Sequence, residues 1–232
     1  MNFLLAGEGP SDLGSRDGYG NFKAGPMTWV IEALCKQNSF SVPYNYRLLT
    51  RKQLSKLASK ISKGRAQRPE KKYAAFYDQA MALALETKKS NDTHGAVYFQ
   101  DSDREDWEPL LKAVKKGFEK EQMDNRCVAM IPKPKSEAWL LAYFQKEENG
   151  QQAYNHAERF EDMSGNDSSP KSVKKKLAEL LQCEISEIYE RITEGGIKEI
   201  DWNRVDMPSF NQFKTDFLAV VERLSALSEP SI

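Results

Sequence analysis

The chain has 232 residues, enough for one substantial hydrophobic core or one core with a small appendage. With 40% hydrophobic and 29% charged residues it reads as globular and not disordered, and 34 basic against 34 acidic residues give no overall bias toward nucleic acid. Cys35, Cys127 and Cys183 are isolated and only two histidines are present, which argues against a disulfide framework and a zinc site and for a reducing cytosol. The first residues lack the basic and apolar segments of a secretion signal, and no apolar run reaches the length of a membrane span, so a cytoplasmic protein is expected.

Residues 2–6 read as a buried strand. Residues 7–26 carry Gly7, Gly9, Gly14, Gly18, Gly20 and Gly25 and read as a long loop, of a length more often functional than idle. A helix is expected over 27–36, with Trp29, Val30, Ala33 and Leu34 as its apolar stripe. A strand over 44–49 leads to Thr50, which caps a helix over 51–62; a further helix over 69–87 buries Tyr73, Phe76, Tyr77, Ala80, Met81 and Leu83. A strand over 96–100, a helix over 105–123, a strand over 127–131 and a helix over 137–145 capped by Ser136 follow. This alternation predicts an α/β fold with a mostly parallel sheet flanked by helices. Residues 149–169 are polar and read as an insertion; helices over 170–182, 185–192 and 209–227 complete the chain. The expected division is a core at 1–148 and a helical extension at 149–232 packed on it.

Two of the strands end in acid. The first runs into Glu8, and the strand before Gln100 runs into Asp101 and Asp103. Sites in parallel α/β sheets form at the carboxyl ends of strands, so these three carboxylates are expected to converge. If the strand continues past Gln100, Asp101 and Asp103 project to the same side, because side chains alternate. Carboxylates about 5 Å apart repel by roughly 3 kcal/mol per pair at an effective dielectric near 20. Three pairs would consume much of a folding stability of about 5–15 kcal/mol. Such a cluster requires protons or cations, and Mg²⁺ or Mn²⁺ is the expected ion because hard cations prefer carboxylate oxygens and water. The competing reading is a loop whose acids complement the start of the next helix.

Other residues carry two readings each. Glu137 opens a helix after the third strand of this series: it serves the site or complements the helix dipole. Lys135 reaches a scissile phosphate as a point charge or is a solvated lysine. Asp12 is a further ligand or a turn residue. Lys171, at the start of a helix, contacts an anion or belongs to plain capping. Residues 51–72 hold nine basic residues against Glu70 alone. Arg51, Lys52, Lys56, Lys60, Lys63 and Arg65 are therefore candidates for nucleic-acid contact, against the plainer reading of a solvated helix face. His94 lies at the amino end of its strand, away from the expected site. The tryptophans and the Phe210, Phe213, Phe217 stripe read as core.

The run Asp101-Ser102-Asp103-Arg104-Glu105 resembles the DxDRE motif of Toprim domains in topoisomerases, and a first strand ending in Glu8-Gly9 is similar to the strand those domains carry. The segment Pro134-Lys135-Ser136-Glu137-Ala138-Trp139-Leu140-Leu141 resembles small stand-alone Toprim proteins linked to phage-defence ATPases and akin to the OLD-family nucleases. The likeness covers residues 1–145. It implies a Toprim-like, Rossmann-like fold with Mg²⁺ held by Glu8, Asp101 and Asp103. It also implies a metal-dependent endonuclease acting on DNA or RNA as an antiviral defence effector beside an ATPase partner. The chain departs from the topoisomerase pattern: Asp106 follows Glu105 where glycine is usual, and there is no room for a tyrosine-bearing domain or a primase zinc module. Strand passage and primer synthesis are not expected, whereas hydrolysis of a phosphodiester needs no covalent residue. No GxxxxGK(S/T) loop is present, so any ATP-driven step would need another protein. The alternative reading is a non-catalytic metal-binding regulatory or interaction subunit of a defence complex. A phosphoacceptor receiver and a haloacid-dehalogenase-like phosphatase fit poorly, since each requires a different placement of its acids. The sequence leaves the oligomeric state open.

Overall fold

The structure, a computed structural model, describes residues 1–43, 45–61, 71–90, 94–103, 105–144 and 157–228. Lys63, Arg65, Arg104 and the expected division at 148/149 lie outside the described residues. In chain order the elements are β1 (Asn2–Gly7), α1 (Pro10–Leu13), β2 (Gly14–Arg16), β3 (Phe22–Ala24), α2 (Pro26–Gln37), β4 (Asn45–Leu49), α3 (Arg51–Ile61) and α4 (Ala74–Lys89). They continue with β5 (Gly95–Phe99), α5 (Trp107–Lys120), β6 (Cys127–Met130), α6 (Ser136–Phe144), α7 (Val173–Leu181), α8 (Ile188–Arg191), α9 (Glu194–Glu199) and α10 (Pro208–Ser228).

Four strands form one parallel sheet in the order β4-β1-β5-β6. The fold is α/β and Rossmann-like, as the alternation of strands and helices implies. Parallel strands connected through helices are covered on both faces, which is why β1, β5 and β6 read as continuous apolar runs. The period-two alternation then sorts side chains between two cores. Phe3, Leu5, Val97 and Phe99 point to one side, where they meet residues of α2, α6 and α10. Leu4, Ala6, Ala96 and Tyr98 point to the other, where they meet α3, α4 and α5.

The C-terminal segment shares the first of these cores. Trp202, Phe210, Phe213 and Phe217 belong to the same buried cluster as the strand residues. Trp139 of α6 stacks on Phe213 with centroids 5.6 Å apart and meets Phe210 edge-on at 5.2 Å. Its buried indole N–H donates to Ser209 Oγ at 2.8 Å, which supplies the partner that a buried Trp requires.

Three stretches differ from the sequence expectation. Residues 7–26 are not one loop but the short α1 followed by the antiparallel hairpin β2–β3, elements of three or four residues that are too brief to show a period. The helix expected from 69 starts at Ala74 after a 3-10 turn, Lys71–Tyr73. The helix expected over 185–192 is a 3-10 turn, Ile185–Glu187, leading into α8, and the unexpected α9 follows Thr193, whose Oγ1 accepts from Gly196 N at 3.2 Å. Beside β6, a cleft of about 250 Å³ between α5 and α10 has Cys127 and Ala129 among its lining, and Lys115 Nζ lies 2.6 Å from Asp216 Oδ2 between the two helices. Among the described residues no helix is long and apolar enough to cross a membrane.

Candidate functional site

The site is built where β1 and β5 end side by side. Gly7 has φ +134°, and a Cβ there would stand 1.8 Å from the carbonyl oxygen of Phe99, so only glycine lets the two strand ends approach. Glu8 N then donates to Phe99 O at 3.0 Å. The Glu8 carboxylate receives two hydrogen bonds: Arg51 Nη1, from the start of α3, donates to Oε1 at 2.8 Å, and Gln100 Nε2 donates to Oε2.

Beyond Phe99 the chain leaves the sheet. Gln100 N, Ser102 N and Asp103 N donate to the carbonyls of Met130, Pro132 and Pro134, at 3.1, 3.1 and 2.8 Å. Asp103 sits at φ +48°, so the expectation of an extended strand through Asp101 and Asp103 is corrected. The two carboxylates reach the same cavity through a turn and not through strand alternation. Asp101 Oδ1 accepts from Ser136 N at the first turn of α6, at 2.9 Å. Asp103 Oδ1 lies 3.3 Å from Lys135 Nζ, which also lies 3.1 Å from Asp167 Oδ1. Glu8, Arg51, Asp101, Asp103, Lys135 and Asp167 all line one cavity of about 500 Å³ at the carboxyl end of the sheet.

Behind Asp101 lies a buried acidic cluster. Ser136 Oγ donates to Asp12 Oδ1 at 2.5 Å, and the Tyr189 hydroxyl lies 2.9 Å from the same oxygen and 3.2 Å from Glu137 Oε1. A phenol has one hydrogen, so it cannot donate to both carboxylates at once. Glu137 is 2% exposed, and its Oε2 has no hydrogen-bond partner among the described residues. Lys174 Nζ approaches Glu137 Oε1 to 3.7 Å.

The electrostatics follow from this crowding. Burial pushes Asp101 well above the usual carboxylate range; the charges of Asp12 and Glu137 push it further, and the Ser136 N–H opposes them. Burial also raises Asp12, against hydrogen bonds from Ser136 and Tyr189. Glu137 is raised by burial and then by Asp12, against Lys174. For Lys135, burial acts to lower the ammonium pKa, but the Asp167 hydrogen bond and the charge of Asp103 outweigh it, and the net direction is upward. The lysine is therefore a firm cation at the cavity wall.

Of the residues singled out in the sequence, Glu8, Asp101, Asp103 and Lys135 meet on the cavity, while Glu137 stands behind it with Asp12. Arg51, Lys52, Lys56 and Lys60 are all exposed on α3, and only Arg51 reaches the cavity. Lys171 is exposed ahead of α7, whose cap is Ser172; it is Lys174, nearly a turn further on, that faces the acids. His94 is at the amino end of the sheet, where its Nδ1 accepts from Asn2 N at 3.1 Å. Sequence reasoning missed Gln100, Asp167, Lys174 and Tyr189. Gln100 adjoins Asp101 and was within reach of it, whereas Asp167 fell in a stretch read as an insertion and Tyr189 lies 177 residues from Asp12.

Among the described residues no three His, Cys, Asp or Glu side chains are drawn together as a ready set of metal ligands. Glu8 and Asp103 are instead held by Arg51 and Lys135. The donor chemistry nonetheless suits a hard cation: the acids offer only oxygen, the charges of Asp12 and Glu137 raise Asp101 and that of Asp12 raises Glu137, and Glu137 Oε2 is a buried acceptor without a partner among the described residues. Comparison with protein-family models, with curated proteins and with solved structures gives no match to this chain.

Proposed function

We propose that the chain is a Mg²⁺- or Mn²⁺-dependent Toprim-like nuclease that hydrolyses phosphodiester bonds in DNA or RNA. The observation that carries this reading is the convergence of Glu8, Asp101 and Asp103 with Arg51 and Lys135 on one cavity at the carboxyl end of a parallel sheet. Glu8, Asp101 and Asp103 are the residues that would hold the cation, which when bound supplies water activation and charge stabilisation at phosphorus. Lys135 offers a fixed positive charge to the phosphate, and Arg51 a planar guanidinium suited to bidentate contact. Ser136 orients Asp101 through its backbone N–H, and Gln100 orients Glu8. The exposed basic face of α3 would carry the neighbouring phosphates. The role as a defence effector working with an ATPase rests on the resemblance of the Pro134 to Leu141 segment alone.

The test is cleavage of plasmid, single-stranded DNA and RNA by the purified chain in Mg²⁺ and in Mn²⁺, beside Asp101→Asn. Metal-dependent cutting is expected to fall by about 100-fold or more in the variant, since even residues that only support ligands cost roughly 10–100-fold. Cutting that is metal-independent or unchanged in Asp101→Asn would overturn the reading. A non-catalytic metal-binding regulatory subunit is the second reading, favoured by the ion pairs that already neutralise Glu8 and Asp103. It expects Mn²⁺ binding that Asp101→Asn weakens, without cleavage of any substrate.

A further inference from the structure

We propose that Arg51 and Lys135 act as electrostatic latches that couple phosphodiester binding to divalent-cation loading at this cavity. The inference rests on the nuclease reading and names how that site is regulated. The two outermost acids of the expected ligand set are each held by a cation of the chain itself. Arg51 Nη1 is 2.8 Å from Glu8 Oε1, and Lys135 Nζ is 3.3 Å from Asp103 Oδ1. These are also the cations that a phosphodiester entering the cavity would recruit. One set of positive charges therefore has two claimants, carboxylate or phosphate.

The geometry favours exchange at Arg51. Its side chain is 61% exposed and that of Glu8 32%, and an ion pair so open to water is weak. Arg51 opens α3, and Lys52, Lys56 and Lys60 repeat every four residues behind it, each step about 6 Å along the helix. Arg51 stands where α3 meets the cavity, about 100° or more around the helix from the three lysines. When the guanidinium turns to phosphate, Glu8 keeps its bond from Gln100 and stays oriented toward the cavity. Lys135 behaves differently: only 14% exposed, it is shared between Asp103 and Asp167. Asp167 keeps the ammonium at the cavity wall when Asp103 is released. Phosphate binding thus frees two carboxylates for a cation, and by reciprocity a bound cation frees two positive groups for phosphate.

The experiment is calorimetric Mn²⁺ binding to the full chain with and without phosphorothioate DNA and RNA oligonucleotides, which resist hydrolysis. In the wild-type chain the oligonucleotide is expected to tighten Mn²⁺ binding by about fivefold or more, the lower end of typical coupling between sites. Arg51→Gln is expected to bind Mn²⁺ more tightly than wild type without oligonucleotide and to respond to it less than about half as strongly on a logarithmic scale. Arg51→Lys retains the response. The nucleic acid that produces the coupling identifies the substrate class. Mn²⁺ binding that is lost in Asp101→Asn yet indifferent to oligonucleotide, or equally coupled in Arg51→Gln, overturns the latch and spares the nuclease reading. Absence of Mn²⁺ binding, or binding unaffected by Asp101→Asn, overturns both.

Discussion

Glu137 is a carboxylate buried among other acids. Its Oε1 shares the Tyr189 hydroxyl with Asp12, and its Oε2 is buried without a partner among the described residues. Glu161 also leaves its Oε2 buried without a partner among the described residues, but its Oε1 accepts from Ser209 N and Oγ at 2.8 and 2.6 Å, close to the start of α10, where a carboxylate complements the helix dipole. Asp12, Asp101 and Glu137 all have folded-state pKa values above their ordinary ones, chiefly through burial. The folded state therefore binds protons more tightly than the unfolded chain. Their contribution to stability is present at low pH and is lost as pH rises through the raised values. Without divalent cation, Glu137→Gln is expected to melt about 2–4 °C higher than wild type near pH 8, as about 1 kcal/mol would produce in a chain of this size. The advantage should shrink toward pH 5, because lower pH favours the protonated carboxyl that burial stabilises. Thermal melts at the two pH values decide it, and a variant less stable than wild type near pH 8 would contradict the assignment.

At the scale of elements, α3 is the clearest candidate surface. Leu54 and Ala58 are its buried positions, while Lys52, Lys56 and Lys60 stand exposed on the remaining face. Substituting Lys52 and Lys56 together by Gln is expected to leave folding intact and weaken oligonucleotide binding across sequences. The slope of log affinity against log salt should shrink by about 1 for each phosphate that the variant no longer neutralises. An unchanged slope would remove α3 from the interface. Much of this level was legible in the sequence: β1, β5 and β6 are short apolar runs, and Glu8 and Asp101 follow β1 and β5 closely enough to place them at the correct end of the sheet. The route to Asp103 was not legible, because a left-handed residue replaces the alternation a strand would impose. Nor was the hairpin β2–β3, since three-residue strands carry no period. Tyr189, Lys174 and Asp167 reach the acids from the far end of the chain, and contacts across such separations leave no local pattern.

At the scale of the whole molecule, the C-terminal segment both completes the core and contributes to the site. Phe213 is 1% exposed and stacks between Trp139 and Phe217, with centroids 5.6 and 5.5 Å away. Phe213→Ala is expected to cost about 3–5 kcal/mol through reduced burial and the cavity left behind. It should lower the melting temperature by about 6–20 °C, and calorimetric melting tests this directly. A loss of less than about 1 kcal/mol would mean that α10 and α6 are not held by this stack. Because Trp139 lies two residues beyond Glu137, a loosened stack should also be felt by the buried acids.

The Lys115–Asp216 pair has a consequence for how the molecule meets others. An open sheet is vulnerable at its outermost strands, whose backbone groups invite a further strand from another chain. Here the hairpin lies against β4, with Phe22 and Tyr46 rings 5.3 Å apart, and the α5 and α10 side chains clasp over β6. Each outermost strand thus has another element of the chain beside it. At those positions a further strand would have to displace a contact the chain already makes.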